Sequence, residues 1–151
     1  MGNKSIRVIS ISLFYNKHKN SILVAEGFDP VKNEKFYRPL GGAVKFGEKS
    51  IDALKREIKE EIDEKILNIK YLATLENIFT FNGKKGHEIV FVYDSKFKDP
   101  NVYKREVFEG YEIEENWGKF KVRWKPVPFF QSSLCPLYPT GLLELIQDKF
   151  Y

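Results

Sequence analysis

Gly41-Gly42-Ala43-Val44-Lys45-Phe46-Gly47-Glu48, followed after seven residues by Arg56-Glu57-Ile58-Lys59-Glu60-Glu61, is the stretch on which this chain turns. From Ser50 to about Ile62 the apolar residues take a helical period, with Ile51, Leu54, Ile58 and Ile62 on one stripe. Ser50 fits the N-cap position, and Asp52 adds negative charge in the first turn. On a helix turning ~100° per residue, Glu57, Glu60 and Glu61 share one arc beside that stripe, while Lys59 and Asp52 point away. Like charges at these spacings repel by a few tenths of a kcal/mol per pair, about 0.2–0.5. Such an oxygen-rich cluster suits hard divalent cations such as Mg²⁺ or Mn²⁺. A solvated acidic face balanced by Lys55, Arg56 and Lys59 has the same pattern, and for an isolated acidic helix it is the commoner reading. The preceding loop shifts the balance. Gly41, Gly42 and Gly47 let the backbone approach a ligand closely and take positive φ, and a glycine loop feeding a helix N-terminus is a recurring phosphate-side arrangement.

Working outward, Arg7 to Tyr15 alternates in part and is rich in β-branched residues, which predicts a strand. A polar turn from Asn16 to Asn20 leads to a hairpin partner, Ser21 to Ala25, and a short extended piece runs from Lys35 to Leu40. Beyond the helix, Leu67 to Phe81 and His87 to Phe97 read as two strands joined by the glycine-bearing loop Asn82 to Gly86. Asp99-Pro100-Asn101 reads as a loop. Extended segments follow at Arg105 to Tyr111 and Lys119 to Trp124, then a proline-interrupted connection. Thr140 can cap a last helix, Gly141 to Lys149. Strands, one helix, more strands and a terminal helix make an α+β domain with helices packed on a sheet. Residues 1–151 are read as one domain.

A hydrophobic share of 42% and a charged share of 30% exclude a disordered chain. The net charge of +4 suits an anionic ligand but names none, and with no long basic block a nucleic-acid partner is not indicated. One cysteine, Cys135, excludes an internal disulfide and fits a reducing compartment; it reads as a small apolar filler. No apolar stretch approaches the ~20 residues of a membrane span, and no secretory signal opens the sequence. The expected location is cytoplasmic, and a homodimer is left open.

The quoted stretch resembles the Nudix box: Gly, five residues, Glu, seven residues, then Arg-Glu-apolar-any-Glu-Glu-any-Gly-apolar. Gly42, Glu48, Arg56, Glu57, Ile58, Glu60 and Glu61 stand at the required spacings, seven of nine specified positions. Asp63 replaces the final glycine and Glu64 the final apolar residue. The order of elements around the box is also similar to that family. The resemblance implies a Nudix-type α/β/α sandwich with a mixed β-sheet. It further implies metal-assisted attack of water on a phosphorus of a nucleoside diphosphate linked to another group, or of a nucleoside triphosphate.

By that similarity Glu57, Glu60 and Glu61 are the expected metal ligands, with the Gly41 carbonyl a further one and Mg²⁺ or Mn²⁺ the ion. Glu57 and Glu61 are the expected catalytic carboxylates, Glu57 also a candidate to activate or orient the water. Arg56 is expected to hold carboxylates in place, with Glu48 as its partner or an outer group of the metal site. Arg38 and Gly42 are the candidate substrate contacts. At Asp63 the implied left-handed helix end is tolerated by Asp at modest cost, and Ile66 or Leu67 can take over the packing that Glu64 does not provide. A further carboxylate often joins from a loop before the last strand; Glu109, Glu112, Glu114 and Glu115 are candidates, with Glu115 preferred. Phe79, Phe81, Tyr111 and Trp117 could stack on a base, but read first as core. No marker for a particular substrate is present where such markers fall, around Phe79 to Phe81. Two other classes fit the same chain: a Nudix-fold binding module without turnover, and a pyrophosphohydrolase acting on RNA 5′ ends.

Overall fold

The computed structural model describes residues 4–112, 118–132 and 135–150. Two sheets carry the chain. The first has strand order β5-β1-β7-β6, formed by β1 (Arg7–Leu13), β5 (Leu40–Ala43), β6 (Ile66–Phe81) and β7 (Lys84–Phe97). β1 runs parallel to β7, with Val8 opposite Ile89 and Val92 opposite Ile11, and the other two pairings are antiparallel, so this sheet is mixed. The second is antiparallel: β2 (Tyr15–Asn16), β3 (Ser21–Asp29), β9 (Gly118–Pro126) and β8 (Val107–Glu112) in that order, with β4 (Glu34–Arg38) pairing further along β3 on the same edge as β2.

Alternation decides the layering. In β3, Leu23 and Ala25 join a core with Leu54 and Ile58 of α1 (Ser50–Ile62). Ile22 and Val24 point the other way, into a core with Leu142 and Ile146 of α3 (Leu142–Phe150). A strand places successive side chains on opposite faces, so helices cover both sides, and the α+β sandwich expected from the sequence is present. α2 (Val127–Ser132) adds Val127 and Phe130 to the α3 side.

The structure departs from the sequence reading in local ways. Lys35 to Leu40 is not one piece. The chain leaves the antiparallel sheet after Arg38 and enters the mixed sheet at Leu40, with Pro39 between. The hairpin loop is two residues rather than five, because Asn82 (φ 52°) and Gly83 (φ 77°) supply the paired positive φ of a tight turn. Asp99 accepts a hydrogen bond from Asn101 N at 2.9 Å and opens a 3-10 turn, Pro100–Lys104, where a loop was expected; the turn buries Val102. α2 carried no helical period that would reveal it. Ser50 is not the N-cap of α1: Lys49 stands there without a side-chain cap bond, and Ser50 Oγ lies 2.6 Å from the Tyr93 hydroxyl. Among the described residues no helix is long and apolar enough to cross a membrane.

Candidate active site

α1 packs against β5, β1 and β8, and the packing explains the glycines before it. At Gly41 (φ 147°) a β-carbon would stand 2.0 Å from the Ser10 carbonyl oxygen, so only glycine allows β5 that close to β1. At Gly42 a β-carbon would stand 2.3 Å from the carboxyl carbon of Glu57. The strand backbone therefore forms a wall against which that side chain lies.

Arg56 organises one group of carboxylates. Its Nε donates to Glu48 Oε2 at 2.9 Å and its Nη2 to Glu48 Oε1 at 3.0 Å, a two-pronged pairing. Nη2 also donates to the Ala43 carbonyl at 2.9 Å, tying helix to loop. Nη1 donates to Glu57 Oε1 at 2.9 Å and reaches Glu60 Oε2 at 3.3 Å. The guanidinium holds the Glu48 carboxyl down at about 2, helped by the Lys45 N–H, which donates to the same side chain.

The second group lies deeper. Glu57 is 2% exposed and Glu61 3%. Among the described residues Glu57, Glu61 and Glu112, from the end of β8, offer oxygens all within 4.8 Å of one another. Among the described residues, Glu57 Oε2 and both Glu61 oxygens have no hydrogen-bond partner, and all three are buried. Burial pushes the Glu57 carboxyl up; Arg56 opposes this, and Glu112 and Glu60 add to it. Burial pushes Glu61 well up too, against the pull of Arg38, with Glu57 and Glu112 adding repulsion. Partnerless buried oxygens are costly, and three converging carboxylates suit a hard divalent cation.

A cleft of about 330 Å³ opens between the two sheets. Glu57, Glu112, Gly41, Gly42 and Arg38 line it at the helix, and Phe36, Phe79, Phe81 and Tyr138 line it elsewhere. Phe79 and Phe81, read from sequence as core, are partly buried walls of this cleft. The reason is the tight turn after them: the hairpin end extends past the core, and its inward face meets the other sheet across a gap.

The NUDIX domain family model matches residues 4–127 of this chain. The chain belongs to the Nudix family. Among solved structures, a NUDIX hydrolase from Nitrosomonas europaea superposes with TM-score 0.66 at 15% identity, covering 95% of this chain and 88% of that one. A MutT NUDIX hydrolase from Burkholderia pseudomallei gives TM-score 0.64 at 20% identity, over 95% and 98%. A structure described as an ADP compounds hydrolase gives 0.61 at 14%, over 95% and 72%. At such identities the likeness shows the fold alone. No curated protein sequence matches the chain.

Against the Nudix box, the structure brings Gly42, Glu48, Arg56, Glu57 and Glu61 into one contiguous assembly. Glu60 sits on its solvent side, 45% exposed at the side chain and turned to Arg56, and Glu112 stands in the converging trio. Asp63 takes the left-handed conformation (φ 56°, ψ 43°) that the box glycine would take, and its N–H donates to the Lys59 carbonyl. Glu64, where the box has an apolar residue, faces Arg105 at 3.8 Å, and buried Ile66 joins the core instead, while Leu67 is exposed. Glu109 is exposed beside Lys119, and Tyr111 is exposed rather than core. Glu114, Glu115 and Trp117 lie outside the described residues. Asn77, Glu88, Phe36 and Tyr138 were missed as cleft residues. A faint signal existed for Phe36 and Phe79, since each faces a glycine across its hairpin.

Proposed function

We propose that this Nudix protein is a divalent-metal-dependent hydrolase that cuts a phosphoanhydride bond of a nucleoside diphosphate linked to another group, or of a nucleoside triphosphate. The observation that carries the proposal is the set of three partnerless buried oxygens on Glu57 and Glu61, converging with Glu112 at the mouth of a cleft. Neutral surroundings would favour protonated acids there; a cation makes the charged forms the stable ones. Glu57, Glu61 and Glu112 are the proposed holding residues, with Glu60 and the Gly41 carbonyl at the edge of the site. A cation bound there supplies Lewis acidity and offsets charge on phosphate oxygens.

The chain's own residues do the rest. Gly42 presents backbone without a side chain where the diphosphate approaches Glu57. Arg38, on the cleft wall, offers its positive charge to a phosphate oxygen. Glu57, with one oxygen held by Arg56 and the other partnerless, orients the attacking water and accepts its proton in this reading. Arg56 and Glu48 hold that carboxylate in register and act as positioning residues. A panel of nucleoside diphosphate derivatives and nucleoside triphosphates with Mg²⁺ or Mn²⁺, scored for released phosphate and mononucleotide, tests the reading. Turnover on some member, abolished by excess chelator, is expected. A folded protein inert across the panel overturns the hydrolase reading in favour of a binding module, and undiminished turnover in chelator overturns the metal.

A further inference from the structure

The aromatic end of the cleft is built on a repeated device. Phe79 stands opposite Gly86 in the β6–β7 register, and a β-carbon at Gly86 would lie 2.3 Å from the tip of the Phe79 ring. The ring therefore leans over the glycine, with one face against the sheet and its body lining the cleft. Phe36 does the same over Gly27 on the opposing sheet. Its edge contacts with Phe81 and Tyr138, at 5.8 and 5.7 Å between centroids, fix it further. Two aromatic surfaces from two sheets thus face one gap, each supported from behind.

Beside Phe79 on the same sheet face stands a polar row. Glu88 pairs with Asn77 across β6–β7 and with Arg7 across β7–β1, and all three line the cleft. The Asn77 amide donates to Glu88 Oε1 at 3.4 Å and accepts from Thr140 N at 3.3 Å, while Arg7 lies 3.8 Å from Glu88 Oε2. These are long contacts for the carboxylate, which keeps lone pairs for a donor on a ligand. An aromatic platform flanked by an acceptor at its edge matches a flat heterocycle that carries N–H groups on its rim.

We infer that the cleft seats a nucleobase bearing an exocyclic amino group, stacked on Phe79 and read at its edge by Glu88. The inference rests on the nucleotide reading above and names the base class that reading leaves open. The glutamates near Gly42 and the Phe79 platform line one continuous cleft, so a diphosphate at the first leaves the base at the second. Adenine offers a 6-amino donor to Glu88 and guanine a 2-amino donor; hypoxanthine carries a carbonyl oxygen in place of the first and only a hydrogen in place of the second, and uracil carries carbonyl oxygens and no amino group.

Binding of AMP, GMP, IMP and UMP to the metal-free protein in excess chelator, followed by NMR titration, tests this apart from any hydrolysis. AMP and GMP are expected to bind about tenfold more tightly than IMP and UMP, a difference of the size of one lost charged hydrogen bond. Cross-relaxation between base protons and the Phe79 ring should mark the stack. Phe79→Ala should weaken AMP about tenfold or more, and Phe79→Tyr should restore it. Gly86→Ala, which displaces only the ring tip, should weaken AMP while leaving the fold intact. Glu88→Gln should narrow the preference for AMP over IMP. Equal binding of all four nucleotides, no binding of any, or unchanged AMP affinity in folded Phe79→Ala overturns the inference. Base-selective binding without turnover on any substrate would leave the inference standing and remove the hydrolase reading instead.

Discussion

Around helix α1 lie two groups of carboxylates that differ in nothing but their surroundings. Glu48 and Glu60 face Arg56 at the water's edge, each within hydrogen-bond reach of the guanidinium. The next residue, Glu61, is buried with Glu57 and Glu112, and among the described residues its oxygens have no hydrogen-bond partner. The first group is electrostatically closed, and its Glu48 carboxyl is held low by Arg56. The second is open, and burial pushes its Glu57 and Glu61 carboxyls up. A chain that can balance glutamates with one arginine has left three oxygens unbalanced a few ångströms away. Such a cost is sustained where something outside the chain supplies the missing charge.

The largest effect is expected from Glu61→Gln, which removes charge from the open group and keeps the shape. Turnover should fall by two orders of magnitude or more, roughly 3 kcal/mol of transition-state stabilisation. Metal-free stability should hold level or rise, because repulsion with Glu57 and Glu112 is relieved. Steady-state kinetics and denaturant unfolding without metal check the two halves, and wild-type turnover in the variant would break the distinction between the groups.

Arg56→Gln attacks the closed group. Glu48 and Glu57 lose their shared cation, and the Ala43 carbonyl loses a donor. A loss of about 1–3 kcal/mol is expected in denaturant unfolding, together with a ten- to hundredfold fall in turnover as Glu57 loses its orientation. An Arg56→Gln protein as active and stable as the parent would show that the ion pairs are ornamental.

The two groups also answer pH in opposite directions. For Glu57 and Glu61 the folded-state value lies above the ordinary 4.5, so between the two the folded chain holds more protons than the unfolded one. Their effect is then to lower metal-free stability as pH rises from about 4.5. Glu48 lies below its ordinary value, at about 2, and its stabilisation is present above 4.5 and lost as pH falls towards 2. The rise in Tm on adding Mg²⁺ or Mn²⁺ should therefore grow as pH increases from 4.5 towards neutrality, because protons and metal compete for the open group. A metal-induced shift that is flat across that range would count against it.

Small effects are expected at the helix end. Asp63→Gly should keep turnover within about tenfold and change stability by about 1 kcal/mol or less, since glycine suits the left-handed site but loses the 2.5 Å contact with Lys59. Lys59→Gln lies on the exposed side of the helix, away from both groups. It should alter stability by less than about 0.5 kcal/mol and leave turnover alone; a large loss of turnover would mean that the helix face is misassigned.

What the sequence made legible follows from periodicity. The α1 stripe and the carboxylate arc depend only on helical spacing, and Leu54 and Ile58 are in the core while Glu57 and Glu61 are beside it. Spacing cannot tell Glu60 from Glu61, because burial of one and exposure of the other depend on where β8 packs. Nor could it choose Glu112 from four nearby glutamates, since that choice is made by the β8–β9 register, a long-range pairing. Phe79 and Phe81 were read as core because aromatic residues in a strand usually are. Only the opposing sheet, brought over by the switch at Pro39, leaves a gap in front of them.

The contact between Gly42 and Glu57 ties two positions into one unit of sequence drift. Any side chain at 42 would meet the carboxyl of 57 and push it from its place, so the glycine is held for as long as that carboxylate is used where it stands. Were a descendant to shorten residue 57, position 42 would be released, and larger residues could accumulate there without penalty. Re-introducing glutamate would then meet an occupied space. Loss of that carboxylate is thus expected to behave as a ratchet, with the state of residue 42 recording, across a lineage, whether the acid is still in use.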